Sequence, residues 1–332
     1  MSKCRVSKDK LETIIDFGNI YLNNFVKEKD YNLERGKLRI GFSKKSKLVQ
    51  LLDTANQDKL YTQYWYRSGT NETMTNQLYD VVDNMSLWAE LKEDDIVLDI
   101  GCNDGSLLNY FRFYGAKTIG VEPTSAALNV SKNHKIFNNY FSKKVALEIK
   151  KKYQSIDYIT FTNVFAHIAD LKLLINNLKL LTDDKTKIII ENHYLGSVIK
   201  KKQFDTFYHE HPRTYSLRSF LKIAEMLNMQ VESCRFKKRY GGNIRVIIGK
   251  NEKIKDFSKI ISKEKKFFQK LLNFKKFIVK WKKSTLKQII NLNKKNYTIV
   301  GKAFPGRAAV LINILKLNSN HITRIYEKPQ SP

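Results

Sequence analysis

The sequence has little of what membrane-spanning and exported proteins need. Its 332 residues contain no run of about 18 uncharged apolar residues, and the amino terminus lacks the charged, apolar, small order of a signal peptide. Its three cysteines, Cys4, Cys102 and Cys234, are an odd number without short-range pairing, which argues against a disulfide framework and is typical of a reducing compartment. We therefore expect a cytoplasmic protein that does not engage a membrane.

Acidic residues are scarce as well, and 60 basic against 32 acidic residues leave a formal charge of +28. Such an excess is typical of proteins that bind nucleic acid. Lysine outnumbers arginine, however, and asparagine and isoleucine are abundant, a composition that an A/T-rich coding sequence produces without any polyanionic partner. The lysines concentrate in residues 251–295, where apolar residues recur at helical spacing, so we predict a basic connecting helix, continuous or broken, rather than a nucleic-acid arm.

The sequence also lacks internal repeats and proline- or glycine-rich linkers, so domain boundaries are inferred from changes in pattern. Residues 1–80 are predicted to form a small irregular amino-terminal domain, 81–250 a central domain, 251–295 the basic helix and 296–332 a partial α/β unit. In the central domain short apolar strands alternate with helices, which predicts an α/β doubly wound sheet with helices on both faces. A short connection at Gly241 and Gly242 joins the last two strands, so one of them is predicted to run antiparallel.

These elements are assigned from apolar periodicity. The predicted strands cover residues 96–100, 118–122, 158–162, 187–191, 229–236 and 244–249. The predicted helices cover residues 107–114, 125–132, 143–153, 171–181 and 218–227.

A glycine loop joins the first strand to the first helix of the central domain. The strand IVLDI is followed by GCNDGSLL, which places Gly101, Asn103 and Gly105 on a turn that a ligand can approach closely. Dinucleotide-binding loops have the pattern G-x-G-x-x-G and receive a pyrophosphate. The loop here is G-x-N-x-G, with Asp99 before it and Asp104 within it, and these acids favour the cationic amino acid and sulfonium of S-adenosylmethionine.

Two further residues are predicted to face the same ligand. Glu122 ends the second strand, where a carboxylate can accept hydrogen bonds from both hydroxyls of a ribose. Asn163, in TFTNVFAH, lies at the carboxyl end of a central strand and faces the same crevice, with a helix cap as the equal alternative. His167 in the same segment is interpreted first as a partly buried histidine. The predicted cofactor is thus S-adenosylmethionine, held by Asp99, Gly101, Asn103, Gly105, Glu122 and Asn163.

The segment FDTFYHEH brings titratable side chains together at residues 208–211. In an extended segment His209 and His211 project to the same side, and such a pair can share a metal with a carboxylate. A histidine is also a suitable base for taking a proton from carbon beside a ketone, with Glu210 orienting it or raising its basicity. An aromatic hydroxyl, from Tyr208 or Tyr66, would then stabilise the enolate.

The acid-base hypothesis is favoured over a metal site and over a polar structural turn. Apart from His193, no further cluster of ligand side chains lies nearby in the sequence, so no metal is expected.

Six segments of the sequence match one known family. The most specific is FDTFYHEH (204–211), and the others are YWYRSGTNETM (64–74), DIGCNDGSLL (99–108), NVFAHI (163–168), YGGNIRV (240–246) and the PGR segment at Pro305. On these segments nearly the whole chain resembles the S-adenosylmethionine-dependent C-methyltransferases of deoxysugar biosynthesis, which act on nucleotide-linked keto-sugars. The resemblance implies a class I methyltransferase fold, which is Rossmann-like, flanked by smaller amino- and carboxyl-terminal domains. It also implies that His211 is the general base and that Tyr208 and Glu210 shape the substrate pocket.

The sequence departs from the family in three places. The family carries two C-x-x-C zinc pairs in its amino-terminal domain, and the matching positions here hold Cys4, Ser7, Ser43 and Ser46. Serine hydroxyls do not replace thiolates in a structural zinc site, so zinc is expected to be absent. Tyr240 stands where the family usually has histidine, and the end of the chain at Pro332 suggests a truncated carboxyl-terminal domain.

The predicted reaction is methyl transfer from S-adenosylmethionine to carbon of a nucleotide-linked keto-sugar, in polysaccharide or secondary-metabolite biosynthesis. One alternative is O- or N-methylation of a related sugar. From a different class, the alternative is a basic nucleic-acid-associated protein that retains the fold without turnover. The expected partner is therefore a nucleotide-sugar substrate.

Overall fold

Three β-sheets organise the described part of the chain. The computed structural model describes residues 2–22, 34–56, 60–61, 66–70, 72–86, 91–250, 255–303 and 306–326. Tyr64, Trp65, Asn71 and Pro305, from the segments quoted above, lie outside the described residues.

The predicted irregular amino-terminal segment is instead a β-sheet. Its strands are β1 (Glu12–Tyr21), β2 (Arg35–Phe42) and β3 (Val49–Leu51), and they pair antiparallel in that order. A fourth strand, β9 (Arg213–Thr214), pairs with β3 and comes from the central part of the chain. The sheet therefore ties the amino terminus to the residues that directly follow the FDTFYHEH segment.

The central sheet confirms the predicted doubly wound α/β fold. Its strands are β4 (Ile96–Ile100), β5 (Lys117–Val121), β6 (Lys135–Phe137), β7 (Tyr158–Thr162), β8 (Lys187–His193), β10 (Gln230–Lys237) and β11 (Asn243–Gly249). They lie in the order β10-β11-β8-β7-β4-β5-β6. All neighbours pair in parallel except β11, which runs antiparallel to β10 and β8, as the short connection at Gly241 and Gly242 predicted.

Helices cover both faces of this sheet. On one face lie α1 (Glu72–Ser86) and α2 (Ser106–Phe113), and on the other lie α3 (Lys143–Tyr153), α4 (Leu171–Leu181) and α6 (Leu217–Met226). Successive residues of a strand point to opposite faces, so Val97 packs with α1 and α2 while Leu98 packs with α3 and α4. The helix predicted for residues 125–132 is a 3-10 turn at Ser125–Asn129.

The basic segment forms two helices, as the apolar spacing predicted. They are α7 (Ser258–Glu264) and α8 (Phe267–Lys294). Phe267, Leu271, Phe274 and Ile278 are buried in one core with the amino-terminal sheet and the short helix α5 (Leu195–Lys201). Although α8 has 28 residues, no helix of the described residues is long and apolar enough to cross a membrane.

The last described elements are β12 (Val300–Lys302), α9 (Gly306–Leu315) and β13 (Arg324–Tyr326), with β12 and β13 paired in parallel. They are a strand, a helix and a second strand in chain order. Val310 and Ile314 of α9 are buried in the core of the amino-terminal sheet. This unit therefore packs on the amino-terminal sheet and on the turn at 204–206.

Candidate active site

The glycine loop between β4 and α2 has the backbone that close approach of a ligand requires. Gly101 and Gly105 have φ angles of +76° and +77°, and Asn103 between them has a φ of 52°. A Cβ at Gly101 would lie 2.5 Å from Val164 Cγ2, so only glycine fits there. Glycine at this position lets the Val164 side chain pack against the loop, which lies at the carboxyl end of β4, where ligands of doubly wound sheets bind.

Glu122 follows β5, and its carboxylate reaches back to this loop. One oxygen accepts a hydrogen bond from the backbone N–H of Asn103 at 3.0 Å, and the other accepts one from the N–H of Thr124 at 2.9 Å. The side chain is buried, and each oxygen keeps a further lone pair for a ligand hydroxyl. This geometry suits the two ribose hydroxyls of S-adenosylmethionine.

Asp99 lies buried within β4, two residues before Gly101. The sequence predicted that its carboxylate binds the cofactor at the glycine loop. Its carboxyl is 3% exposed and accepts a hydrogen bond from the Thr160 hydroxyl at 2.7 Å. Burial raises the pKa of Asp99 to about 7, against the opposing effect of this hydrogen bond. In the structure this hydrogen bond links Asp99 of β4 to Thr160 of β7.

Residues 66–70 lie against the glycine loop, a contact that the sequence did not predict. The Asn103 side chain donates to the carbonyl of Tyr66 at 3.0 Å and accepts from the N–H of Ser68 at 3.0 Å. Asp104 accepts from the N–H of Gly69 at 2.6 Å. The Asn103 amide is therefore engaged in holding this segment, and Tyr66, 44% exposed, is joined to the site through its backbone.

Asn163 directly follows β7 with a φ of 58°, a conformation that asparagine tolerates better than most residues. Its Oδ1 accepts a hydrogen bond from Asn243 Nδ2 at 3.0 Å. The cap of the next helix, α4, is Asp170, whose side chain accepts from Leu173 N–H, so the alternative of Asn163 as a helix cap is wrong. Asn163 instead joins the carboxyl end of β7 to the start of β11.

His211 is held in one tautomer by the backbone. Its Nδ1 lies 3.2 Å from the carbonyl of Thr206, which can only accept, so Nδ1 carries the proton and donates it. The other nitrogen, Nε2, then carries the lone pair and accepts a hydrogen bond from the Tyr208 hydroxyl at 3.3 Å. Burial lowers the pKa of His211 to about 3, and His193 and Arg307 add to this effect. His211 is therefore neutral, with Nε2 as the nitrogen that can accept a proton.

His209 and His211 do not share a side of the segment, so the geometry expected for a shared metal is wrong. His209 is 3% exposed, and its Nε2 would lie 2.9 Å from a Cβ at Gly36 of β2, inside the amino-terminal sheet. Glu210 does not orient His211, since the Thr206 carbonyl does. Burial alone raises the pKa of Glu210 to about 7, which makes it a carboxyl that gains or loses its proton near neutrality.

A group of aromatic rings surrounds His211. The ring centroids of His167 and His193 lie 4.7 Å and 5.3 Å from that of His211, and Tyr240 lies 5.8 Å from His193. Burial holds the pKa of His167 well below its usual range and lowers that of His193 to about 4, so both rings are neutral. Within the described ranges no group of three histidine, cysteine or acidic side chains is arranged to hold a metal ion.

A buried ion cluster flanks these rings, at the ends of β8 and β11. Glu191 accepts from Arg239 Nε, from Arg245 Nε at 2.7 Å and from Asn243 Nδ2 at 2.9 Å. Arg245 also pairs with Asp80 of α1 at 2.8 Å. Sequence reasoning missed this cluster because Asp80 and Glu191 lie far along the chain from the arginines, although Asn243 and Arg245 belong to the quoted segment YGGNIRV.

The four positions predicted as a degenerate zinc site do meet in the structure. Cys4 Sγ lies 3.3 Å from Ser46 Oγ, Ser46 Oγ donates to Ser43 Oγ at 2.9 Å, and Ser43 Oγ lies 3.1 Å from Ser7 Oγ. Cys4, Ser43 and Ser46 are buried. Hydrogen bonds among these side chains thus join the two turns of the amino-terminal domain.

Residues 70–233 match a family described as a methyltransferase domain. The chain is similar to the C-methyltransferase NovU of Streptomyces niveus, with 26% identity over 201 residues that cover 60% of this chain and 48% of that protein. It is also similar to the mitochondrial ubiquinone biosynthesis O-methyltransferase of Bos taurus, with 28% identity over 86 residues, 24% of this chain and 23% of that protein. The chain thus spans about half, or less, of these relatives' length.

Among solved structures, the chain is similar to magnesium protoporphyrin IX methyltransferase of Synechocystis PCC 6803 with bound SAH. The identity is 13% and the TM-score is 0.41, and the match covers 55% of this chain and 88% of that one.

The family match runs from the residues before α1 to β10. It includes the glycine loop, Glu122 and Asn163, and the central sheet has the α/β order expected of such a domain. The central part of this chain therefore matches a methyltransferase domain over residues 70–233, and its sheet has the doubly wound α/β fold.

Proposed function

We propose that this protein transfers a methyl group from S-adenosylmethionine to carbon of a nucleotide-linked keto-sugar, with His211 as the general base. The observation that carries the proposal is the fixed tautomer of His211, whose Nε2 lone pair faces the Tyr208 hydroxyl beside the carboxyl ends of β7 and β8. Carbon methylation needs such a base because a carbon-bound proton must leave before carbon can act as a nucleophile.

His211 and two of its neighbours have separate roles in the proposed reaction. Nε2 takes the proton from carbon beside the ketone, and the Thr206 carbonyl keeps the ring oriented as it becomes an imidazolium. The Tyr208 hydroxyl, which donates to Nε2 in this structure, has to turn away from Nε2 before that nitrogen takes the proton, and it can then donate to the enolate oxygen.

The cofactor would lie against the glycine loop at the carboxyl end of β4. Glu122 would accept the ribose hydroxyls, and the segment at 66–70 would limit access of water from one side. When bound there, S-adenosylmethionine supplies an electrophilic methyl group to the carbanion and leaves as S-adenosylhomocysteine.

The similarity to the C-methyltransferase of Streptomyces niveus supports methylation of carbon. The similarity to an O-methyltransferase covers a smaller part of this chain. We place the reaction in polysaccharide or secondary-metabolite biosynthesis, where methylated deoxysugars are made.

The test is mass spectrometry of nucleotide-linked keto-sugars incubated with enzyme and S-adenosylmethionine. In heavy water, and without methyl donor, the correct substrate should exchange a ring hydrogen for deuterium. His211→Gln should abolish exchange and lower the methylation rate by about 10²- to 10⁴-fold, while S-adenosylmethionine still binds. His321→Gln, a histidine of the carboxyl-terminal unit, is the matched control and should leave both unchanged. Methylation by His211→Gln at the wild-type rate, or a methyl group found on oxygen, would contradict the proposal.

A further inference from the structure

Arg239 is a buried cation with unused hydrogen-bond donors. Its residue is 8% exposed, and its Nε donates to Glu191. Its two terminal nitrogens, Nη1 and Nη2, are buried and have no hydrogen-bond partner among the described residues. Buried donors without partners cost stability, and they are found where a ligand completes the hydrogen bonding.

The ion cluster that contains Arg239 carries more positive than negative charge. Its cations are Lys237, Arg239 and Arg245, and its carboxylates are Glu191 and Asp80, which leaves one positive charge unmatched. Each of the two carboxylates already accepts from two of these cations. An anionic ligand would balance this charge and occupy the free donors at the same time.

The unused donors lie beside the proposed reaction site. Glu191, the partner of Arg239, and His193 point to the same face of β8, two residues apart. Asn243 pairs across the sheet with His193, and both Asn243 Oδ1 and His193 Nε2 are also buried without a partner among the described residues. Tyr240, the next residue after Arg239, contacts the His193 ring. These unsatisfied polar atoms therefore belong to residues grouped around His193, whose ring centroid lies 5.3 Å from that of His211.

We infer that Arg239 binds the diphosphate of the nucleotide-linked substrate and thereby positions the sugar against His211. This inference rests on the proposed function and names the group through which the substrate is recognised. A guanidinium with two free nitrogens suits the oxygens of a phosphate, because it can donate two parallel hydrogen bonds. The same chemistry occurs in the carboxylate of S-adenosylmethionine, so a test must separate the two anions.

The experiment is calorimetric titration of protein saturated with S-adenosylhomocysteine. The probes are uridine, thymidine and guanosine diphosphates and the corresponding nucleosides. At least one diphosphate should bind more tightly than its nucleoside. Arg239→Gln should weaken the binding of that diphosphate by about 10- to 100-fold, as expected for lost hydrogen bonds to a charged group. The affinity for the nucleoside should not change. Arg235→Gln is the matched control, because Arg235 is an exposed arginine of the neighbouring strand that pairs with Asn84.

A second variant separates a loss of binding from misfolding, because Arg239→Gln removes one partner of the buried Glu191. Arg239→Lys keeps the charge beside Glu191 but offers a single ammonium, so it should fold and still bind the diphosphate more weakly than wild type. Unchanged diphosphate affinity in both variants would overturn the inference. So would an equal loss for the nucleoside, or a loss confined to S-adenosylhomocysteine, which would assign Arg239 to the cofactor carboxylate.

The proposed function can fail separately. If diphosphates bind through Arg239 but no keto-sugar is methylated on carbon, the reaction assignment is wrong and the anion site stands. If carbon methylation is found and Arg239→Gln binds diphosphates normally, the reaction assignment stands and the anion site at Arg239 is wrong.

Discussion

The buried, neutral state of His211 predicts how its contribution to stability changes with pH. Its pKa is about 3 in the folded protein, below the value of about 6.5 that an unfolded chain gives histidine. Between these two values the unfolded state binds a proton at this position and the folded state does not. Stability from His211 is therefore complete above about pH 6.5 and is lost as the pH falls through this window.

The magnitude follows from the distance to the unfolded pKa. At pH 5 the unfolded histidine is about 1.5 pH units below its pKa, and each unit corresponds to about 1.4 kcal/mol, so folding loses about 2 kcal/mol relative to pH 8. The folded pKa lies well below pH 5, so its exact value does not change this result. His167 and His193, with pKa values lowered by burial, act in the same direction, while Asp99 and Glu210, with pKa values raised to about 7, act in the opposite one.

A difference between variants isolates His211 from these groups. The free energy of unfolding is measured by urea denaturation of wild type, His211→Gln and His321→Gln at pH 8 and pH 5. Wild type and His321→Gln should lose about 2 kcal/mol more on acidification than His211→Gln does, because glutamine does not titrate. Equal losses in all three proteins would show that His211 is accessible and titrates normally, and the packing described around its ring would then be wrong.

Three further predictions concern the cofactor, the degenerate zinc site and the enolate. S-adenosylmethionine should raise the melting temperature of wild type while NAD does not, and Glu122→Ala should reduce that stabilisation by about 1.5 to 3 kcal/mol; equal shifts would remove Glu122 from the cofactor site. Elemental analysis of wild type should find no stoichiometric zinc and a chelator should leave its melting curve unchanged, whereas a variant with Ser7→Cys, Ser43→Cys and Ser46→Cys should bind about one zinc per chain. Tyr208→Phe should slow methylation less than His211→Gln, since the base remains; a larger loss would make Tyr208 the proton acceptor.

Much of the central fold could be predicted because its elements carry their own pattern. Strands such as Tyr158–Thr162 and helices such as Leu171–Leu181 match the predicted bounds, since apolar residues recur there with a period of two or of about 3.6. The amino-terminal sheet could not be predicted as a unit. Its β9 has two residues and pairs with β3, more than 160 positions earlier, and so short a segment carries no periodic signal.

The site shows the same limit at the scale of single side chains. The expectation that His209 and His211 share a side assumed an extended chain. The backbone there turns instead, since Phe204–Thr206 is a 3-10 helix and the His211 N–H donates to the Tyr208 carbonyl at 2.9 Å. A turn changes which side chains face each other, and only the folded backbone shows it. The partner of His211 Nδ1 is likewise a carbonyl, which no side-chain pattern reveals.

Two segments that the sequence connected only by family resemblance meet at His211. Arg307, from the PGR segment, pairs with Asp205 of FDTFYHEH at 2.8 Å, and its positive charge helps to lower the pKa of His193 and His211. A pKa near 3 makes His211 a weak base in this state. On the proposed function, the negative charge of a bound diphosphate would oppose the contribution of Arg307 to the low pKa of His211, while burial, the larger cause, would remain. The bound substrate would thereby raise the basicity of the residue that deprotonates it.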